Sequence, residues 1–344
     1  MDLQFTTLGA LIGLVVAIIL IIKKVQPAYG LILGALIGGL IGGGLAGTVS
    51  TMVSGAGSMM SSVLRILTSG ILAGALIKTG AAQKIAETIV DTIGEKRAIA
   101  ALAVATMIIC AVGVFIDIAV ITVAPIALAI GERAGLSKSG ILLAMIGGGK
   151  AGNIVSPNPN TIAVTEAFQL DLTAVMLKNL IPAICALIAT IVLASLLAKK
   201  AGDGISQNDL EAAPAEKLPN ALQAFAGPLT VIVLLALRPL AKISVDPLIA
   251  LPLGGLVCIL VTGNIRNLIP YTDFGLSKVI GVAILLIGTG TIAGIIKASA
   301  LQKDMTTLLS AMNMPAFILA PLSGILMAAA TASTTAGPTV ALQT

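Results

Sequence analysis

Apolar stretches long enough to cross a bilayer recur along nearly the whole of this chain, and they leave it very few folds. A hydrocarbon core ~30 Å thick takes ~20 helical residues, and inside it every backbone N–H and C=O has to be paired within the protein. With 57% of its 344 residues hydrophobic and 10% charged, the sequence reads as an all-α polytopic membrane protein and not as a soluble domain. The first run, Leu8 to Ile22, has no basic residue before it and no small-residue cleavage site after it, so it is expected to stay as the first helix rather than be removed as a signal peptide. The net charge is +5, but the Lys and Arg residues fall in short links between apolar runs, where they orient helices. No nucleic-acid partner follows from them. Lys23 and Lys24 after the first run place the N-terminus outside and themselves in the cytoplasm, in a cell inner (plasma) membrane. Cys110, Cys185 and Cys258 lie within apolar runs and lack metal-ligand spacing, so buried small side chains are expected, with neither disulfide nor bound metal.

One stretch breaks the pattern. Gly147-Gly-Gly-Lys-Ala-Gly-Asn-Ile-Val-Ser-Pro-Asn-Pro-Asn-Thr161 puts polar and helix-breaking residues inside a greasy segment. Its two prolines lack the N–H that a helix uses, and its glycines relax the backbone. Ser139 to Phe168 is therefore expected as two half-helices joined by an unwound loop. Irregular backbone at membrane depth is tolerated where it lines a cavity, so this loop is the expected substrate and ion site. Asn153, Ser156, Asn158, Asn160 and Thr161 offer the oxygens that a sodium ion or the hydroxyls of an organic acid need, although Asn and Ser also cap loops. Lys150 either pairs with a substrate carboxylate, snorkels, or neutralises an acid. Glu166 is expected to be interfacial.

In chain order, a second span covers about Tyr29 to Thr48, where glycines indicate close helix packing. Val49 to Ser62 is expected as a surface loop or interfacial segment, and Val63 to Ile77 crosses with Gly70 and Gly74 on one face. Lys78 through Arg97 is an amphipathic cytoplasmic helix and connection. The apolar run Ala98 to Ile130, roughly 33 residues, is too long for one span and too short for two. With basic flanks at both ends it is expected as a re-entrant hairpin, its tip near Gly113-Val-Phe-Ile-Asp117, with one long tilted helix as the alternative. Asp117 is the acid inside that run. A carboxylate there is costly unless protonated, paired or beside an ion, so Asp117 is either an ion ligand or proton carrier, or the partner of Lys150. Sodium is expected at Asp117, Asn153 and Ser156.

The broken segment then crosses outward, Leu172 to Ala198 returns, and the hydrophilic stretch 201–220 divides the chain. Residues 1–200 and 221–344 read as two repeats. At a shift of 220 positions Val25, Pro27, Leu31, Leu33 and Gly34 meet Val245, Pro247, Leu251, Leu253 and Gly254, and Ala73-Gly74 meets Ala293-Gly294. The first half makes an odd number of full crossings, so the second is expected upside down, although Arg238 and Lys242 then lie outside against the positive-inside bias. In the same register Thr331-Ala-Ser-Thr-Thr-Ala-Gly-Pro338 takes the place of the Asp117 tip, which adds Thr331, Ser333, Thr334 and Thr335 to the expected site. Repeat one runs on well past that point and repeat two does not, so a truncated, incomplete second repeat is the expectation.

Gly80-Ala-Ala-Gln-Lys-Ile-Ala86, followed by Gly113-Val-Phe-Ile-Asp-Ile-Ala119 and Pro125, resembles the gluconate permease family of the ion transporter superfamily, and the resemblance runs through essentially the whole chain. Gly152 to Asn160 is similar to the glycine- and proline-rich loop that helps form the ion and substrate site in that superfamily, including its sodium-coupled dicarboxylate carriers. Thr331 to Pro338 is similar to the Ser/Thr-rich tip of its second hairpin. The resemblance implies an inverted-repeat carrier, ion-coupled with proton or sodium, that symports a small organic anion such as gluconate or a related sugar acid as a homodimer without a cofactor. A citrate-like di/tricarboxylate symporter or a sodium/proton antiporter is the alternative. The chain departs from the pattern in having no histidine, which leaves the choice of coupling ion open. An intramembrane enzyme needs paired aspartates, Ser with His or a His-based metal site, and the chain has no histidine for the last two. Inverted halves with broken segments fit alternating access better than a channel.

Overall fold

The computed structural model describes residues 5–158, 161–162, 164–165, 170–198, 218–241, 243, 245–301 and 304, with the side chains of residues 95, 117, 118, 125 and 238–240 excepted. Among these the secondary structure is helical, apart from an isolated bridge between Phe5 and Ser299. The helices are α1 (Thr7–Ile22), α2 (Pro27–Gly43), α3 (Leu45–Ser58), α4 (Met60–Lys78), α5 (Ala81–Ile93), α6 (Ala98–Ala111), α7 (Ile116–Ala134), α8 (Lys138–Asn153), α9 (Leu172–Lys178), α10 (Leu180–Ala198), α11 (Ala221–Ala241), α12 (Pro247–Val261) and α13 (Leu268–Lys297). By length and composition α4, α10 and α13 can each cross a membrane. Helix α10 presents Ile181, Ile184, Ile188, Val192 and Leu196 outward while burying Ala183, Thr190, Ala194 and Ala198. That is the inverse of a soluble helix and the pattern lipid requires.

The chain divides into two compact units. One holds residues 1–66, 162–170 and 280–344, the other 67–161 and 171–279. In the first, α1 and α2 pack antiparallel through bare backbone. Positions Gly9 and Gly13 face Gly42, Gly38 and Gly34 so closely that a Cβ on Gly13 would come within 2.6 Å of the Gly34 carbonyl oxygen. In the second, α5 turns Ala81, Ala82, Ile85, Ala86, Ile89 and Val90 into a core shared with α6, α7, α8, α11 and α12.

Equivalent positions of the two halves meet crosswise. Gly55 lies against Gly290 and Gly294 in the first unit, and Gly275 lies against Gly70 and Gly74 in the second. Gly275, Gly290 and Gly294 are Gly55, Gly70 and Gly74 displaced by 220 positions. Each pairing is antiparallel: Thr51 faces Gly294 while Met59 faces Gly290, and Val279 faces Gly70 while Tyr271 faces Gly74.

Two expectations are corrected here. Of Val49 to Ser62, expected as a surface loop or interfacial segment, the loop is ruled out: Val49 to Ser58 is most of α3 and Met60 opens α4, and the Gly, Ala, Ser and Thr residues give α3 a face thin enough to seat against α13. The glycines from Gly147 to Gly152 do not unwind the backbone. Helix α8 continues to Asn153, and Lys150 stands in its last turn rather than in a loop. Cys110 and Cys258 are buried as expected, whereas Cys185 is exposed on the outward face of α10.

Candidate functional site

Helix α8 starts at Ser137, whose side chain caps Gly140 N at 3.1 Å while its hydroxyl donates to the Leu197 carbonyl at 3.0 Å. This ties the start of α8 to the end of α10. From there α8 needs thin side chains, because it lies directly on α6. A Cβ on Gly148 would overlap the carbonyl of Ala103, and one on Gly152 would overlap that of Met107. Facing positions rise together along both helices, so α6 and α8 run side by side in the same direction and end at one level.

Both then break. Helix α6 stops at Gly113, which takes the left-handed φ of +104° that glycine adopts without penalty, and Gly113 N donates to the Cys110 carbonyl at 3.0 Å. Four residues, Val112 to Phe115, turn the chain back into α7, so the run Ala98 to Ile130 is a helical hairpin. Helix α8 breaks over Ile154 to Asn158, the unwound part of the expected loop. The two breaks adjoin. A Cβ on Gly113 would lie 3.9 Å from Pro157, and one on Gly149 would lie 2.6 Å from Ile116, the residue before Asp117.

The loop is a knot around one atom. The carbonyl oxygen of Asn153 accepts from Ser156 N at 3.2 Å, Ser156 Oγ at 3.1 Å, Thr161 Oγ1 at 3.2 Å and the Asn158 side-chain amide. That amide also donates to Ser156 Oγ at 2.7 Å. The prolines explain the arrangement. Pro157 has no N–H for the end of α8, so side-chain donors take over its unpaired carbonyl. Ser156, Asn158 and Thr161 are buried, and their donors are turned inward. In contrast, the side-chain oxygen of Asn153 is buried and has no hydrogen-bond partner among the described residues. An acceptor in that state costs about 1–3 kcal/mol until a donor or a cation reaches it.

The electrostatics point the same way. Helices α6 and α8 both end here, bringing the negative ends of their dipoles, while α7 begins here with its positive end. Asp117 is the second residue of α7, where that dipole favours an acid. Lys150, half-buried in the last turn of α8, suits a helix C-terminus. The side chain of Asp117 and the residues Asn160, Glu166, Thr331, Ser333, Thr334 and Thr335 lie outside the described part of the structure. Sequence reasoning missed Asn179, whose side chain donates to the Ile154 carbonyl at 2.9 Å and pins the loop to the start of α10. A lone amide between two apolar helices was the available signal.

The profile of the GntP family permeases matches residues 5–343. The chain belongs to the GntP permease family. A Haemophilus influenzae protein named an uncharacterized transporter is 55% identical over 337 residues, which cover 98% of this chain and 80% of that protein. A second protein from that organism, named an uncharacterized permease, is 26% identical over 148 residues, 42% of this chain and 30% of its own length. The crystal structure of the Alcanivorax borkumensis YdaH transporter, described as having an unusual topology, superposes with a TM-score of 0.62 at 14% identity, covering 95% of this chain and 81% of that one. The last likeness speaks for the fold alone. Family and relatives make this GntP permease a membrane transporter and not an enzyme.

Proposed function

We propose that this permease is a secondary active carrier in which proton or sodium drives symport of a small organic anion, such as gluconate or a related sugar acid. The observation that carries the ion half of this reading is the orphaned side-chain oxygen of Asn153. An unpaired buried acceptor between two helix C-termini is the environment a cation fits and a carboxylate does not. Asp117, Asn153 and Ser156 form the cation site in this reading. The substrate lies beside them, with Lys150 opposite its carboxylate and Asn158, Asn160 and Thr161 near its hydroxyls. In this reading Thr331, Ser333, Thr334 and Thr335 of the second repeat are assigned to substrate recognition as well.

The inverted-repeat plan, with repeats 1–200 and 221–344 around a cytoplasmic linker at 201–220, is supported by the crosswise glycines. Where α4 meets α13, a helix of one half runs against a helix of the other, and the partners exchange at the 220-position shift. A homodimer in the inner membrane with its N-terminus outside completes the reading.

The test is uptake of radiolabelled gluconate into proteoliposomes under an imposed sodium or proton gradient, comparing wild type with Asn153→Leu, which keeps the branching of the side chain and removes its amide. Uptake driven by one of the gradients and lost in the variant is expected. Citrate-driven competition would move the substrate to the di/tricarboxylate class, and sodium/proton exchange without any organic substrate would make the protein an antiporter. Wild-type uptake by Asn153→Leu would remove Asn153 from the ion site.

A further inference from the structure

At the far end of α6 from the knot, about 20 Å away at 1.5 Å per residue, the second unit contains a cavity of about 640 Å³. It lies where α6 begins, α7 gives way to α8, and α10 ends. Its lining joins two chemistries. Lys96 and Arg97 are exposed cations in the turn before α6, while Ile99, Leu136 and Ile191 form apolar walls and Ser195 adds one hydroxyl. The volume is that of a ligand site.

The position narrows the choice of ligand. Ile191 and Ser195 stand on α10 beside Val192 and Leu196, which are exposed among the outward-facing residues of a membrane-spanning helix. The cavity therefore has hydrocarbon at its flank and a basic rim. Glu95 and Glu132 neighbour that rim in sequence, but so do Arg133 and Lys138, and Lys199 and Lys200 follow Ala198, so the local balance stays positive. A neutral lipid has no use for the cations, and a fully water-soluble anion has none for the apolar walls. Basic pockets between spans on the cytoplasmic side suit the heads of anionic lipids.

We propose that this cavity binds an anionic phospholipid, with Lys96 and Arg97 on its phosphate, Ser195 near its glycerol oxygens, and Ile99, Leu136 and Ile191 against the upper part of an acyl chain. The site is separate from the transport knot, and the proposal holds whichever substrate is carried.

Native mass spectrometry of the full chain purified in detergent decides it, with dioleoyl phosphatidylglycerol, dioleoyl phosphatidylcholine and glycerol 3-phosphate as probes. Retention of phosphatidylglycerol over phosphatidylcholine is expected. The double variant Lys96→Gln/Arg97→Gln should weaken phosphatidylglycerol binding by roughly 30-fold, the loss of two cations near a lipid head. Lys23→Gln/Lys24→Gln, which removes as much charge elsewhere, should leave it unchanged. Ile191→Trp fills the cavity while keeping both charges and should also lose the lipid, which covers the case in which the double variant fails to fold. Equal phosphatidylglycerol binding by wild type, the double variant and Ile191→Trp would overturn the proposal. Glycerol 3-phosphate bound as tightly as the lipid would overturn it in favour of a soluble-anion site.

Discussion

Thr161 reaches back eight residues to donate its hydroxyl to the carbonyl of Asn153 at 3.2 Å, closing the break that follows α8. Asn158 makes the same closure from inside the loop and braces Ser156 as well.

The two contributions should separate by mutation. Thr161→Val removes one donor and keeps the shape, at a cost of about 1 kcal/mol. Asn158→Ala strips the bonds its amide donates to the Asn153 carbonyl and Ser156 Oγ and the one its Oδ1 accepts from Thr161 N at 3.4 Å, so about 1–3 kcal/mol is expected. Thermal unfolding followed with a thiol-reactive dye should rank Asn158→Ala below Thr161→Val, and Thr161→Val below wild type. A reversed order would mean that Thr161 and not Asn158 holds the loop.

Asp117→Asn should abolish ion-driven uptake while leaving the yield and melting temperature of the purified protein near wild type. The substitution keeps size and removes charge at the second position of α7. An equal fall in folded protein would make the carboxylate a structural partner instead.

Backbone contact between α6 and α8 predicts a sharp contrast between two glycines. Gly148→Ala drives a methyl group into the Ala103 carbonyl, whereas among the described residues nothing lies within 4 Å of a Cβ on Gly281. Overpacking of that kind costs about 1–3 kcal/mol or more, so Gly148→Ala should melt lower and express poorly. Gly281→Ala should be neutral or stabilised by up to about 1 kcal/mol from helix propensity. Comparable melting temperatures for the two variants would contradict the direct seating of α8 on α6.

Thiol accessibility gives an independent check. Cys185 is exposed and Cys110 and Cys258 are buried, so a small apolar maleimide should modify a single thiol in the native protein and all three after unfolding. Mass spectrometry after brief labelling reads the count, and fast modification of Cys258 would contradict the packing of α12.

Much of this was legible in the sequence because the solvent is lipid. Apolar length located α1, α2 and α4, and length together with the basic flanks of Ala98 to Ile130 located the α6–α7 hairpin, since membrane spans tolerate so few alternatives. The two prolines of the Gly147 to Thr161 stretch marked the break after α8, because they lack the N–H that a helix uses. What misled was glycine. In the run Gly147 to Gly152 glycine reads as a breaker by propensity, and in Val49 to Ser58 small polar residues read as a loop or interfacial segment, yet both segments are helical. Between helices in a membrane the absence of a side chain is a packing feature, and a single sequence does not distinguish the two uses. The unpaired oxygen of Asn153 was equally hidden, because which loop donors turn inward depends on three-dimensional closure.

The seam between α6 and α8 has a mechanical consequence. A side-chain layer between helices acts as a soft gasket that lets each slide a little against the other, and at Gly148 and Gly152 of α8 there is no side chain to form one. Carbonyl oxygens of α6 bear directly on α carbons of α8, so the two form one stiff beam that spans about 24 Å, the length of the 16-residue α8. Amide hydrogen exchange should show Ala103–Met107 and Gly148–Gly152 opening as one unit. A beam of this kind joins Ser137, at one end of α8, to Asn153 at the other.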